Sequence, residues 1–243
     1  PSDAIYLNQN FRRYMIRVNN DVDINRYLSG HLDVNFKRSK SVAPVDAPWN
    51  SRRTPSIYAV KWSDGRWGDV KDGGNVLPRL YDGGSHTFWY NQLSGKAALD
   101  IKPLTGLKLS AVVAANYYFN KFKTMVKALY YTKYAYPDDP KPMGGHNTTS
   151  LSEQRNDGYD LTYQLFANYD KQWGEHSLSA MVGYESYYNF SETESAGSDH
   201  LALTSFPYLD RGNSTYLSVG GNADQNAYRS FFGRLAYNYA GRY

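Results

Sequence analysis

The chain has 243 residues, of which 27 are basic and 23 acidic, so its formal net charge is only +4. That charge is too small to require a nucleic-acid partner, and the absence of cysteine excludes disulfides and thiolate metal sites. The longest aliphatic run, Ala111–Ala115, falls far short of the ~20 apolar residues that a membrane-spanning helix needs. Taken alone, a mean hydropathy of −0.66 would indicate a soluble protein.

The aromatic content does not fit an ordinary soluble domain. Aromatic residues make up 16% of the chain, and 24 of them are tyrosines. Disordered chains are poor in aromatic residues, so disorder does not explain this composition. Tyr and Trp join an apolar ring to a polar group, which suits strands and boundaries between water and an apolar phase.

Apolar and polar residues alternate with a period of two near the start of the chain. In residues 13–24 the even positions are apolar except Asn20, and the odd positions are polar except Met15. This period predicts a β-strand with one apolar and one polar face. The pattern resumes with the same parity in residues 28–37, so a tight antiparallel hairpin would keep the two apolar faces together.

The same alternation predicts five further strands, at about 92–102, 107–120, 159–169, 178–188 and 231–239. Short turns near 25–27, 103–106, 173–176 and 240–243 alternate with long loops near 39–87, 120–157 and 191–226. Strands of ~10–14 residues, with aromatic residues near their ends and long loops at one end, are typical of outer-membrane barrels. We therefore predict an all-β fold, in which antiparallel strands form part of a transmembrane barrel with extracellular long loops. Because single-chain bacterial barrels have even strand numbers of eight or more, we expect other segments to complete it.

The alternation within each strand predicts which residues face lipid and which face the lumen. We expect Val18, Val22, Leu32, Val34, Leu99, Val113, Leu165, Val182 and Leu235 to face lipid. Polar residues of opposite parity would line the lumen, among them Arg13, Arg17, Asp21, His31 and Asp33. Asp21 and Asp23 share this face with Arg13 and Arg17, which favours charge pairing over paired catalytic carboxylates.

The sequence offers no catalytic constellation. None of the five histidines stands at metal-ligand spacing from another His. We expect the protein not to be an enzyme and to hold no metal or cofactor.

The first long loop concentrates aromatic residues, with Trp49, Tyr58, Trp62 and Trp67. Exposed aromatic rings stack on sugar rings or on peptide side chains, so these four are candidate ligand-binding or partner-binding residues. Packing of the loop on itself or on a partner protein is the more common role of such a cluster. Ser63-Asp64-Gly65 also suits a tight hairpin turn.

Three stretches resemble the SusC/RagA family of TonB-dependent outer-membrane transporters, in order and spacing as well as in sequence. Residues 10–24 look like an early barrel hairpin, with an Arg13-Tyr14 opening and a Val22-Asp23-Ile24 ending. Residues 172–185 resemble a family hairpin through Trp173-Gly174-Glu175-His176 and Gly183-Tyr184-Glu185. Residues 228–239 resemble a family strand through Ser230-Phe231-Phe232-Gly233-Arg234 and Tyr237-Asn238-Tyr239. These hairpin motifs specify the family well and the substrate poorly.

The resemblance implies that residues 1–243 are the N-terminal part of a barrel of about 22 strands, without its plug domain. It further implies TonB-dependent import of a glycan or peptide nutrient across a Bacteroidetes outer membrane. The implied partners are a SusD-like surface lipoprotein as the cap, TonB through a missing N-terminal segment, the remaining barrel and plug, the substrate and membrane lipid. With such a cap, we expect at least one of Trp49, Trp62 and Trp67 to be buried against the lipoprotein or the substrate.

Two alternatives remain open at this point. One is a secreted soluble β-protein that binds carbohydrate through its aromatic residues, which a dependence on detergent would exclude. The other is a stand-alone porin or adhesin barrel, which a gene extending beyond both ends of this sequence would exclude.

Overall fold

A computed structural model describes residues 9–46, 56–70 and 74–241 of the chain. Seven long strands form one antiparallel sheet, in which every strand lies beside its sequence neighbours in the order β1-β2-β3-β4-β7-β8-β9. The elements are β1 (Asn10–Asn25), β2 (Leu28–Pro44), α1 (Val76–Tyr81), β3 (Gly84–Leu104), β4 (Leu107–Val126), β5 (Tyr130–Lys133), β6 (Tyr136–Pro142), β7 (Ser150–Trp173), β8 (His176–Ser198) and β9 (Leu217–Tyr239). The predicted all-β antiparallel architecture is confirmed. Within the described ranges, no helix is long and apolar enough to cross a membrane.

The strands extend further than the alternation predicts. β7 and β8 have 24 and 23 residues, whereas spanning a bilayer needs only ~9–11. All the long strands next to a predicted loop extend into it. The connections are therefore 45–83, 127–149 and 199–216, shorter than the predicted loops 39–87, 120–157 and 191–226. The alternation missed these extensions because polar residues occupy both of their faces, as in Arg155-Asn156-Asp157. Pairing nevertheless continues without a break from Leu151 and Ser198 to Trp173 and His176.

The short turns share one end of the sheet, which we call the turn end. Backbone hydrogen bonds of 2.8 Å join the turns to neighbouring strands, from Lys102 to Tyr27, from Asp170 to Gly106 and from Ala240 to Glu175. Gly106 has a φ of +88°, and a Cβ there would clash with the carbonyl oxygen of Asp170, so this turn requires glycine. Because the strands are antiparallel and follow chain order, the three long connections meet at the opposite end, the loop end.

The register places the predicted apolar residues on one face of the sheet. Directly paired residues point to the same side, so a row of partners crosses all seven strands on one face. One such row is Val22, Gly30, Leu99, Ala111, Leu165, Tyr184 and Phe231. The nine residues assigned to lipid by their parity all lie on this apolar face, and their exposed fractions range from 37% at Val34 to 73% at Leu235. A contiguous apolar surface of this extent marks contact with a partner or with lipid.

The most buried side chains lie in the connections and at the loop end of the sheet, where Met125 of β4, Leu151 of β7 and Leu201 form one apolar cluster. In the described part of the chain, the most buried side chains include Val70, Asn75, Met143 and His146, all within the two longest connections. Asn75 caps α1 by accepting a hydrogen bond from the Leu77 amide, and its side-chain nitrogen donates to the carbonyl oxygens of Val60 and Gly68. One buried amide therefore fixes the helix to the preceding loop.

A buried ion pair joins these two connections. The Nε2 atom of His146 lies 2.7 Å from Oδ2 of Asp46, and its Nδ1 lies 2.9 Å from the carbonyl oxygen of Lys127. His146 therefore bridges the two connections through both of its ring nitrogens. Arg79 of α1 also approaches Asp46 at 3.4 Å and donates to the carbonyl oxygen of Gly144. The hydrogen bond from His146 holds the pKa of Asp46 below its ordinary value.

Acid should loosen this loop cluster. Because the folded-state pKa of Asp46 is lowered, its pairing stabilises the loops above an unfolded pKa near 3.8, and this stabilisation is lost as pH falls through the lower folded-state value. We expect Asp46→Asn to remove the acid sensitivity and to cost about 1–3 kcal/mol of local stability at neutral pH. Hydrogen-exchange protection of residues 127–149, corrected for intrinsic rates, measures both effects.

The exposed Asp138 supplies the matched control, because Asp138→Asn makes the same chemical change in this region. It should leave protection of residues 127–149 unchanged. Wild-type pH dependence in Asp46→Asn would contradict the assignment.

Candidate functional site

A row of polar residues crosses the face opposite the apolar one, which we call the polar face. Each member is the direct partner of the next, so one residue from every long strand lies at the same height. The row consists of Arg17, Asn35, Ser94, Asn116, Asp160, Asn189 and Asn226.

Asp160 is the centre of a hydrogen-bond network along this row. Its carboxylate accepts from Asn116 Nδ2 at 3.0 Å, from the Tyr187 hydroxyl at 2.8 Å and from Asn189 Nδ2 at 2.7 Å. Asn226 extends the network to β9 by donating to Oδ1 of Asn189. These three hydrogen-bond donors stabilise the negative charge of the carboxylate without a neighbouring cation. The network therefore fixes four strands to one another through their side chains.

The network continues on the other side of Asn116. Its Oδ1 accepts from Gln92 Nε2 at 2.7 Å and from Ser94 Oγ at 2.9 Å, and the Tyr90 hydroxyl donates to Gln92 Oε1. Each of these amide oxygens accepts a hydrogen bond, so the orientation of one amide group fixes the orientation of the next. The result is a rigid polar wall over β3, β4, β7, β8 and β9.

A second polar group lies nearer the turn end. His31 Nδ1 lies 2.7 Å from Asp21 Oδ1, its Nε2 lies 3.4 Å from Asp100 Oδ2, and Lys108 Nζ approaches the same Asp100 oxygen at 2.8 Å. The interpretation that Asp21 pairs with Arg13 or Arg17 is therefore wrong. His31 is the direct cross-strand partner of Asp21, whereas both arginines lie further along β1.

The two arginines have other contacts. Arg17 donates to Asn19 at 3.1 Å, and the guanidinium of Arg13 lies 5.3 Å from the centre of the Phe11 ring.

A cavity of about 460 Å³ opens on the polar face beside the row. Its lining brings together the predicted residues Arg17 and Asp33 with Lys96 and Asp160, so both signs of charge face one space. Asn35 also lines it, and its buried Oδ1 has no hydrogen-bond partner among the described residues. This cavity can therefore donate to and accept from a polar solute.

Neither Asp160 nor Asn189 is among the predicted site residues. Asp160 has the polar parity of its predicted strand, which is the signal that could have identified it. Asn189 lies one residue beyond the predicted end of its strand at Tyr188, so the alternation gave no signal there.

The aromatic residues of the first connection pack on their own chain where the structure describes them. Trp62 Nε1 donates to the Thr132 carbonyl oxygen at 2.8 Å, and its ring meets that of Tyr134 edge-on with centroids 5.5 Å apart. The Thr132 amide donates to the carbonyl oxygen of Trp67. Both tryptophans are half-buried, and the ammonium of Lys61 lies 5.2 Å from the centre of the Trp67 ring.

No such packing is described for the other two aromatic candidates. Tyr58 is 37% exposed, and Trp49 lies outside the described residues. The predicted turn at 63–65 is present, because the Gly65 amide donates to the Trp62 carbonyl oxygen and the Trp62 amide to that of Arg66.

The fold is similar to that of chains in three solved RagAB structures. A chain of the RagAB peptide transporter superposes with a TM-score of 0.71 at 17% identity, over 96% of this chain and 27% of that one. For the RagAB peptide importer in its open-open state, the TM-score is 0.76 at 18% identity, over 96% and 26%. In the closed-closed state it is 0.70 at 17% identity, over 95% and 26%.

This chain therefore spans about a quarter of the length of the chains it matches. No protein-family model and no curated protein matches the sequence. At such low identity the likeness concerns the fold alone, a sheet of long antiparallel strands that matches part of those chains.

Replacing the carboxylate at the centre of the polar row should destabilise the sheet. Asp160→Asn replaces one acceptor oxygen with an amide nitrogen that donates, so at least one of the donors of Asn116, Tyr187 and Asn189 loses its acceptor. We expect a loss of about 1–3 kcal/mol in the free energy of unfolding of the folded full-length protein in detergent, measured by urea titration.

Asp224→Asn is the control, since Asp224 is an exposed carboxylate on the polar face of β9. It should change stability by less than about 0.5 kcal/mol. If both substitutions lowered the free energy of unfolding equally, the hydrogen bonds of the network would add nothing to stability beyond the effect of removing a charge.

Proposed function

We propose that this chain is part of the transmembrane barrel of a SusC/RagA-family outer-membrane transporter, which imports a glycan or peptide nutrient. The exposed apolar face carries the proposal. Tyr159 and Tyr169 stand ten residues apart on that face of β7, which is ~34 Å along a strand. At a tilt of ~40° this becomes ~26 Å of height, close to the ~25 Å apolar band of outer-membrane barrels.

Aromatic rows border this band on both sides. On the loop side, Phe36, Leu93, Tyr117, Tyr159 and Phe190 are successive partners across five strands. On the turn side, Tyr169, Trp173, Tyr237 and Tyr239 lie near the ends of β7 and β9. Beyond the loop-side row the same face becomes charged. This sequence of zones matches the girdles and water-facing rims of a membrane barrel.

The polar face would then line the lumen, with Arg13, Arg17, Asp21, His31 and Asp33 on its wall. The cavity beside Asp160 offers amide, carboxylate and cationic groups, which suit the hydroxyl groups of a glycan or the backbone of a peptide. The three matched structures are of a peptide transporter or importer, which favours a peptide.

The loop end would be extracellular and would meet a SusD-like lipoprotein. Trp49, Tyr58, Trp62 and Trp67 are the candidate contacts, and burial of at least one Trp against the lipoprotein or substrate stays a prediction. The packing of Trp62 on the β5–β6 hairpin offers a preformed surface for such a cap. TonB would supply the energy through a segment outside this sequence.

The apolar face also weighs against the alternative of a soluble carbohydrate-binding protein. Among the described residues, no second sheet or helix covers this face. In water, the exposed leucines, valines and aromatic rings would lose the stabilisation that burial gives.

The test is uptake by cells that carry or lack the gene containing this sequence. Labelled peptides and labelled oligosaccharides should be offered separately, with and without an uncoupler of the proton gradient. We expect the protein in the outer-membrane fraction and an uptake of one substrate class that the uncoupler abolishes. Passive uptake would favour a porin, and a protein that stays in aqueous solution without detergent would exclude the proposal.

A charge on the apolar face should oppose insertion. Leu165 lies midway in the band, so Leu165→Arg in the full-length protein should cost ~2–4 kcal/mol of folding free energy into lipid vesicles, measured by denaturant titration. Gln164→Arg places the same side chain on the neighbouring, polar-face position and should cost much less. Equal costs would contradict the assignment of the faces.

A further inference from the structure

The geometry points to a binding site for the phosphate group of a membrane lipid at the loop end of β1 and β2. The site consists of Arg12, Lys40 and Lys127, which we call the cationic cleft. This inference rests on the proposed function, because it requires the apolar face to lie in lipid.

Two of these cations oppose each other directly. Arg12 and Lys40 are cross-strand partners in the β1–β2 ladder, and their even positions place them on the same face as Val18 and Val34. Like charges at directly opposed positions destabilise a sheet. The ion pairs among the described residues do not include Arg12, Lys40 or Lys127. An external anion would remove this repulsion.

The three cations line a common cavity of about 550 Å³. Ser85 adds a hydroxyl donor to it, and Val42 and Met125 add an apolar part. Among the described lining residues there is no Asp or Glu. A space with cations and an apolar wall fits an amphiphile that carries a phosphate better than it fits a free inorganic anion.

The height of the cleft suits a lipid head group. Arg12 and Lys40 each stand four residues beyond Ile16 and Phe36, which belong to the loop-side end of the apolar band. Four residues are ~13 Å along a strand, or ~10 Å of height at a tilt of ~40°. Long basic side chains at this level reach down to the head groups while their stems cover apolar surface. The Lys40 ammonium already lies 5.4 Å from the centre of the Trp89 ring.

The outward charge is divided between the two halves of the sheet. β1 and β2 carry only cations there, namely Arg12, Arg38 and Lys40, whereas β8 carries Glu192 and Glu194 at matching heights on the same face. Between them the charges are mixed, with Lys121 on β4 and Arg155 and Asp157 on β7. An anionic head group would thus be attracted to β1 and β2 and repelled by β8. Since the cleft faces away from the polar wall, its occupant is a lipid and not the transported solute.

The experiment compares three probes on the purified full-length protein in neutral detergent. Phosphatidic acid carries both the phosphate and the acyl chains, diacylglycerol carries the chains alone, and inorganic phosphate carries the anion alone. Native mass spectrometry gives the occupancy of each lipid, and competition against phosphatidic acid gives the affinity of inorganic phosphate. The variant R12Q/K40Q tests the cleft, and E192Q/E194Q is the matched double neutralisation on β8.

We expect wild-type protein to bind phosphatidic acid at least tenfold more tightly than either other probe. R12Q/K40Q should weaken that binding on the order of tenfold or more, while E192Q/E194Q should not weaken it. Circular dichroism and heat-modifiable gel mobility would show that both variants are folded. Equal binding of diacylglycerol, equal competition by inorganic phosphate, or unchanged binding by R12Q/K40Q would each overturn the inference.

These outcomes are separate from a failure of the proposed function. An outer-membrane protein with energised uptake but without phosphate-lipid selectivity would refute the cleft alone. A protein that is soluble without detergent would refute the proposed function itself.

Discussion

The organising interaction of this structure is the backbone hydrogen bond between adjacent antiparallel strands. Each long strand pairs with its sequence neighbour over most of its length, so the chain needs no buried core to hold the sheet together. From β4 to β9 the pairing has no bulge, so residues that share a face in one strand stay on that face in the next. Because of that register, a polar residue at one height on each strand becomes a continuous row, and the apolar residues beside them become a continuous surface.

The fold and the site differ in how far the sequence could predict them. The alternation identified the turn-side part of every long strand, since one face there is apolar and the other polar. It failed at the loop ends, where Arg155-Asn156-Asp157 and similar segments are polar on both faces. Arg17, Asp33 and Lys96 could be assigned to the polar face from parity. Their meeting with Asp160 in one cavity depends on the register of five strands, β1 to β4 and β7, which no local pattern contains.

The connections were still less accessible to sequence analysis. His146 and Asp46 are 100 positions apart, and neither has a neighbour that marks it as one half of an ion pair. α1 lies wholly within a predicted loop and has only six residues, too few to show a helical period. Such short elements are stable because they contact other parts of the chain, as Asn75 and His146 do through their side-chain hydrogen bonds. Tertiary contacts of this kind leave no periodic pattern in the sequence.

The length of β7 has a mechanical consequence for a barrel in a membrane. About nine of its residues, 150–158, lie beyond the loop-side aromatic row, which amounts to ~30 Å of continuously paired strand. A solute arriving from outside would therefore pass through a vestibule with rigid walls before it reached the level of the lipid. In the proposed barrel, the width of that vestibule would be set by the number and tilt of the paired strands, not by loops that adapt to each solute. Selection by size would accordingly take place well above the membrane plane.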